Sequence, residues 1–137
     1  MVDFGGWDML IQYETGPREE HVRVREAAGL FDINHMGRLE IEGPGAVNFL
    51  QRVQTWDVSR LAVDRAHYSM LLNNAGGIID DIFVYNRPRL WLLVVNASHA
   101  PKDKTWLESH TRGIVIREAV KTARIVKRPF YTSPHWR

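Results

Sequence analysis

Three apolar segments follow one another in this sequence with turn-forming residues between them. Residues 67–72 (HYSMLL) end at a cluster of Asn and Gly, and residues 78–85 (IIDDIFVY) end at the turn Asn86-Arg87-Pro88-Arg89. Residues 90–95 (LWLLVV) complete the series. Short apolar runs that are divided by such turns are typical of neighbouring antiparallel strands. The sequence therefore predicts an antiparallel meander.

Helical and strand signals occur on both sides of this meander. Pro17 suits the first position of a helix and Gly29 suits its end, so a helix is predicted over 17–28. Its apolar content is modest, with Val24, Ala27 and Ala28 on one side. The other predicted elements are strands at 38–42 and 113–116, a helix at 46–54, and a helix at 101–110 with Trp106 and Leu107 facing inward. Helices and strands do not alternate regularly, so the predicted fold class is α+β.

The strand at 78–85 holds the best candidate site. Side chains alternate between the faces of a strand, so Asp81, Phe83 and Tyr85 share one face and Asp80 lies on the other. A carboxylate beside two aromatic rings suits a flat, nitrogen-bearing heterocycle, which can stack on the rings and donate to the acid. The alternative is that the two acids decorate the turn and the rings are ordinary core. The residues alone favour that alternative.

Two further residues have both a binding and a structural interpretation. Met36 lies between His35 and Gly37 just before a strand, where a methionine can line a ligand surface or simply fill a loop. Asn96 ends the strand LWLLVV and can cap the next helix or point its amide into a pocket. The structural interpretation is favoured for both residues on this information.

Charge is distributed unevenly along the chain. Residues 1–110 contain 11 Lys and Arg against 15 Asp and Glu, whereas residues 111–137 contain 7 basic residues and only Glu118. We predict a folded domain over 1–118 and an irregular basic tail over 119–137. The tail interleaves basic residues with Phe130, Tyr131 and Trp136, a pattern found in binders of single-stranded nucleic acid. Its short length and lack of a surrounding module disfavour that interpretation.

Several classes of protein are excluded by what the sequence lacks. It has no cysteine, which excludes a disulfide scaffold, a thiol nucleophile and a Cys-ligated metal. Its six histidines are scattered without ligand spacing, so no metal site is expected. No apolar run approaches the roughly 18 residues of a membrane span. We expect no membrane association and a cytoplasmic location, or a mitochondrial one in a eukaryote, although no transit peptide is seen.

Six collinear segments resemble the aminomethyltransferase (T-protein) family of the glycine cleavage system. They are MVDFGGWDM at 1–9, EHVRVREAAGLFDINHMGR at 20–38, FLQRVQTWDV at 49–58, AHYSMLLNNAGGIIDDIFVYN at 66–86, LVVNASH at 93–99 and KDKTWL at 102–107. They cover about residues 1–110 in the family's order and spacing. One such segment would be weak, but six in order are specific to the wider family of folate-dependent aminomethyl and methyl transferases.

The resemblance implies a fold, a reaction and a set of site residues. The family fold is a ring of three domains around tetrahydrofolate, and this chain would form part of its folate-binding domain. Asp81 resembles the acid held essential for transfer, and the positions that shape the folate pocket correspond to Met36, Tyr68, Phe83, Tyr85 and Asn96. The implied reaction moves an aminomethyl group from the lipoyl arm of the H-protein to tetrahydrofolate. It releases ammonia and forms 5,10-methylenetetrahydrofolate.

The sequence also departs from the family pattern. Leu10, Asn34 and Trp56 replace the usual Pro, Ser and Asn, and the later folate-pocket acid and arginine do not occur. We therefore expect a truncated or frame-shifted product that is inactive alone, the alternative being a short protein with a basic arm. Two other functions stay open. They are a folate-dependent demethylase or dimethylglycine/sarcosine-type relative, and a noncatalytic folate-binding protein.

Overall fold

The computed structural model describes residues 1–111 and 113–119. The predictions for the basic tail, including its aromatic residues, lie outside the described residues. The chain forms two compact units, one from Met1 to His35 and one from Met36 onward. Each unit is described by itself.

The first unit is a hairpin followed by a helix. Strands β1 (Val2–Phe4) and β2 (Trp7–Met9) pair antiparallel through a two-glycine turn, and helix α1 spans Gly16–Glu26. The predicted helix at 17–28 is confirmed, although it ends at Glu26, before Ala27. No residue of α1 is buried, and Val24 is 40% exposed. The modest apolar content of the helix is too small to form a packed stripe.

The second unit is a five-stranded antiparallel sheet with helices. Its elements are β3 (Gly37–Glu42), α2 (Ala46–Val53), β4 (Ala66–Leu72), β5 (Ile78–Asn86), β6 (Trp91–Val95), α3 (Ala100–Ser109) and β7 (Val115–Glu118). A short 3₁₀ helix spans Val58–Arg60. The strand order is β4-β5-β6-β3-β7, so the predicted meander β4-β5-β6 is confirmed. The last strand begins two residues later than predicted, since Gly113 has a positive φ of 72° and makes a bend.

The core lies on one face of this sheet. The strands contribute alternate apolar residues, and α2 adds side chains at the i, i+3, i+4, i+7 spacing of an amphipathic helix. The buried apolar residues of the strands and helices are Leu39, Ile41, Ala46, Phe49, Leu50, Val53, Leu71, Ile82, Val84, Leu93, Val95 and Leu107. We call this side the covered face and the opposite side the open face.

Helix α3 begins in close contact with the covered face at Gly37. A Cβ atom built on Gly37 would lie 2.6 Å from the Cβ of Ala100 and 2.6 Å from Cγ2 of Val95. A side chain there would therefore push α3 away from the sheet. This close approach fixes the segment between β6 and α3, which carries Asn96 and His99.

The observed mixture of helices and antiparallel strands confirms the predicted α+β class. None of the helices in the described ranges has the length and apolar character that crossing a membrane requires.

Candidate functional site

Two adjacent aspartates of β5 point to opposite faces of the sheet. Asp80 lies on the covered face and is 4% exposed, together with the buried Ile82 and Val84. Asp81 is exposed on the open face, which it shares with the half-buried rings of Phe83 and Tyr85. The period of two along β5 is therefore as predicted.

The neighbouring strands extend this open face into an aromatic surface. Phe83 pairs with Tyr68 of β4 on one side and with Val94 of β6 on the other. The rings of Tyr68 and Phe83 meet edge to face with centroids 5.5 Å apart, and those of Phe83 and Tyr85 are 6.4 Å apart. Tyr68 remains 44% exposed. The result is a row of aromatic rings that begins beside a carboxylate.

The strand register also brings in the two residues whose roles were open. Gly37 pairs with Val95, and Met36 and Asn96 lie one residue beyond this last pair of β3 and β6. Asp81 lies level with Asn96 by the same count, because Phe83 pairs with Val94. Tyr68, Asp81, Phe83 and Tyr85 therefore share the open face, and Met36 and Asn96 lie at its edge, one residue beyond the paired ends of β3 and β6.

Asn96 fixes the Asp81 carboxylate. Its Nδ2 donates to Oδ1 of Asp81 at 3.0 Å and to the Asp81 carbonyl oxygen at 3.3 Å. The residue at the N-terminal boundary of α3 is His99, so the favoured interpretation of Asn96 as a helix cap is wrong. Asn96 lies three residues before His99, too far from the helix to cap it, and its amide instead donates to the two aspartates.

Tyr68 and Tyr85 both keep their protons under ordinary conditions. Burial raises the pKa of the Tyr68 hydroxyl, and the charge of Asp81 and a hydrogen bond to it raise the pKa further. Burial alone raises the pKa of Tyr85. A protonated Tyr68 hydroxyl can donate to the Asp81 carboxylate, which then has donors on two sides.

Asp80 does not form hydrogen bonds with the turn that follows β4. That turn is held by Asn73, whose Oδ1 accepts from the backbone N–H groups of Ala75 and Gly77, each at 2.9 Å. Asp80 instead accepts from Asn96 and His99. The turn-decoration interpretation of the acid pair is therefore wrong, because the asparagine nearer the turn already satisfies its backbone donors.

Sequence reasoning missed Asp103, which lies behind the site. This residue of α3 is completely buried and adjoins Asp80. Its one signal in the sequence is its position four residues before Leu107, which places a carboxyl on the buried side of the helix. Within the described ranges, no group of three or more His, Asp and Glu side chains is arranged to hold a metal ion.

Comparison with known proteins identifies the family. The model of the GCVT N-terminal domain matches residues 1–127, and the chain belongs to this family. The match runs beyond residue 118, where we placed the domain boundary, into residues that the structure does not describe.

Curated relatives and a solved structure agree with this assignment. The chain is 47% identical over 114 residues to an aminomethyltransferase of Herpetosiphon aurantiacus, covering 82% of this chain and 31% of the relative. It is 46% identical over 117 residues to an aminomethyltransferase of Desulfitobacterium hafniense, covering 85% and 32%. The crystal structure of glycine cleavage system aminomethyltransferase T from Bartonella henselae matches with a TM-score of 0.79 and 36% identity, over 86% of this chain and 34% of that one. The chain thus spans about a third of the length of these relatives.

Proposed function

We propose that the open face is one wall of a tetrahydrofolate site that serves aminomethyl transfer in glycine cleavage. The observation that carries this proposal is the position of Asp81 beside Phe83 and Tyr85, with Asn96 holding its carboxylate. The pyrimidine part of a reduced folate is flat, and the ring system bears N–H donors. Aromatic rings supply area for stacking, and a fixed carboxylate accepts from those donors.

The residues of this chain position and polarise rather than react covalently. When bound, tetrahydrofolate supplies the nitrogen N5 that takes the one-carbon unit as ammonia leaves. Asp81 orients the nitrogen-bearing edge, and the rings of Phe83 and Tyr68 exclude water from one side of it. Met36 lies at the edge of the same surface, where a flexible thioether can follow an irregular ligand outline. Such positioning and electrostatic complementarity account for the protein's part in cofactor-dependent transfer.

The donor and the completeness of the site are part of the proposal. We infer that the aminomethyl group arrives on the lipoyl arm of an H-protein, as the similarity to the glycine cleavage aminomethyltransferase of Bartonella henselae suggests. The chain spans 31% of the length of the aminomethyltransferase from Herpetosiphon aurantiacus. We therefore expect residues 1–137 by themselves to bind folate weakly and to show little or no transfer.

Calorimetric titration of the chain with tetrahydrofolate tests the binding step. A charge-assisted hydrogen bond contributes about 1.5–3 kcal/mol, so Asp81→Asn should weaken binding by at least about tenfold. Asp64→Asn is a matched control, since it removes one exposed charge 3.7 Å from Arg87 at a positive φ of 59° that asparagine accepts. Equal affinity of the wild type and Asp81→Asn would contradict the proposal.

A second assay separates the remaining alternatives. In a chain extended to the length of its relatives, transfer from an aminomethylated H-protein supports the proposed reaction. Binding of tetrahydrofolate without any transfer would instead identify a noncatalytic folate-binding protein. Oxidative release of a methyl group from a methylated amine would indicate the demethylase class.

A further inference from the structure

We propose that the buried Asp80 and Asp103, together with the half-exposed His99, form a positioning network that sets the orientation of Asp81 through the side chain of Asn96. None of these three residues lies on the open face, so their effect on a ligand would be indirect. The contacts that define the network do not involve a ligand. Its consequence for folate binding rests on the proposed function above.

Asp80 is the centre of the network. Its Oδ2 accepts from the backbone N–H of Asn96 at 3.1 Å, and its Oδ1 accepts from Asn96 Nδ2 at 2.9 Å. The same Oδ1 lies 2.8 Å from Nδ1 of His99. A carboxylate that is 4% exposed and holds three donors is fixed in one orientation.

Asn96 connects this buried carboxylate to the open face. One atom, Nδ2, lies within hydrogen-bond distance of a carboxylate oxygen of both Asp80 and Asp81. An amide nitrogen has two protons, so it can donate to both acids at once. Movement of Asp80 would turn the amide and thereby release the Asp81 carboxylate.

Asp103 completes the network only when it carries a proton. Both of its carboxyl oxygens are buried and have no hydrogen-bond donor, although the carboxyl adjoins Asp80. Two ionised carboxylates have no proton to share, so their contact becomes a hydrogen bond only when one is protonated. Burial and the neighbouring Asp80 raise the pKa of Asp103 to about 7, against the opposing charges of Lys102 and His99. Burial acts in the same direction on Asp80, but hydrogen bonds from Asp103, Asn96 and His99 outweigh it and lower the pKa of that carboxyl.

These protonation states make the network sensitive to pH. Below neutrality Asp103 donates its proton to an ionised Asp80, so the two carboxyls share a hydrogen bond. Above neutrality Asp103 ionises next to Asp80, and the two negative charges repel at short distance. The charged or titratable groups that face Asp103 are Asp80 from β5, His99 before α3, and Lys102 on α3 itself. We therefore expect the Asn96 amide to lose its fixed orientation as the pH rises through about 7.

Side-chain NMR of the labelled 137-residue chain tests the network without any ligand. The Asn96 Nδ2 proton signals should move between pH 5 and pH 9 with a midpoint near the Asp103 pKa of about 7. In Asp103→Asn, whose amide donates to Asp80 at every pH, those signals should not titrate. Asp64→Asn is the matched control and should titrate like the wild type. Asn96 signals that are flat in the wild type, or that titrate unchanged in Asp103→Asn, would overturn the inference.

A rescue experiment tests the consequence for binding. At pH 6, Asp103→Asn should bind tetrahydrofolate within about twofold of the wild type, whereas Asp103→Leu, of similar size but without a donor, should lose roughly fivefold. Equal binding by both variants would contradict the positioning role. If the wild type binds no folate, the proposed function fails while the NMR titration still decides the network. If Asp103→Leu does not fold, the Asp103→Asn titration decides it alone.

Discussion

Identical side chains have opposite surroundings on the two faces of the sheet in the second unit. Asp80 and Asp81 are consecutive, yet Asp80 is surrounded by donors beneath α3 while Asp81 faces outward beside aromatic rings. The covered face satisfies its polar groups internally and holds the core, whereas the open face presents its polar groups outward. The position of a carboxylate relative to the helices, rather than its sequence neighbours, therefore decides whether its hydrogen-bond partners lie inside the fold or whether it faces outward, where we propose that it contacts a ligand.

The largest expected difference between the faces concerns stability. Leu93 and Leu92 are adjacent in β6, but Leu93 is completely buried while Leu92 lies on the open face. Leu93→Ala should lower the free energy of unfolding by about 2–5 kcal/mol, because it removes buried methyl groups and leaves a cavity. Leu92→Ala should cost clearly less, and urea unfolding measures both. Equal losses would show that the open face is as tightly packed as the covered face.

The next effect is on transfer and separates the two aspartates. In a chain extended to the length of its relatives, Asp81→Asn should lower the rate by at least about tenfold, which corresponds to ~1.4 kcal/mol. Its melting temperature should barely change, since the variant side chain can still accept from Asn96. Asp80→Asn should lower both, because the buried network that orients Asp81 loses its charge. A normal rate in Asp81→Asn would remove the distinction between the faces.

This expectation for Asp80 differs from one that strand alternation alone supports. Alternation places Asp80 on the other face and so predicts that Asp80→Asn spares the rate. The contact through Asn96 Nδ2 changes that prediction, because a single amide joins the two carboxylates. If Asp80→Asn unfolds, its transfer rate cannot be measured. Asp103→Asn, which changes the same network and is expected to fold, is then the comparison.

The smallest net effect is the pH dependence of stability, in which two buried groups oppose each other. The pKa of Asp103 is raised from 3.8 to about 7, so the native state keeps a proton that the unfolded state loses. Stability from this group falls as the pH rises between those values. Burial lowers the pKa of His67 from 6.5 to about 4, so the unfolded state binds the extra proton and stability rises with pH across that interval.

Two variants separate these contributions. Asp103→Asn should make the free energy of unfolding rise more steeply between pH 4 and pH 6.5, because only the His67 contribution remains. His67→Gln should make it fall with pH over the same interval. Urea unfolding at several pH values gives both slopes. If the free energy of unfolding depends on pH in both variants as it does in the wild type, neither group changes its protonation on unfolding.

Local patterns predict much of this molecule. The meander followed from Gly, Asn and Pro between apolar runs, and the faces of Asp81, Phe83 and Tyr85 followed from a period of two. Both are properties of short segments. The resemblance added Met36, Tyr68 and Asn96, and the strand register places Tyr68 on the same face and the other two at its edge.

What the sequence did not predict depends on contacts between distant segments. Asp103 meets Asp80 only because the first turn of α3 lies near the start of β5, and the close approach at Gly37 fixes where that helix begins. Helical periodicity states which side can pack and leaves open what it packs against.

The most direct test of the open-face site is to map tetrahydrofolate binding residue by residue. Backbone NMR signals of the labelled chain, recorded during titration to millimolar tetrahydrofolate, detect weak binding and locate it. We expect the largest shifts at Asp81, Phe83 and Asn96, smaller ones at Met36 and Tyr68, and a general loss of these shifts in Asp81→Asn. Shifts confined to the first unit, or no saturable shift at any concentration, would contradict the assignment of this face as the folate wall.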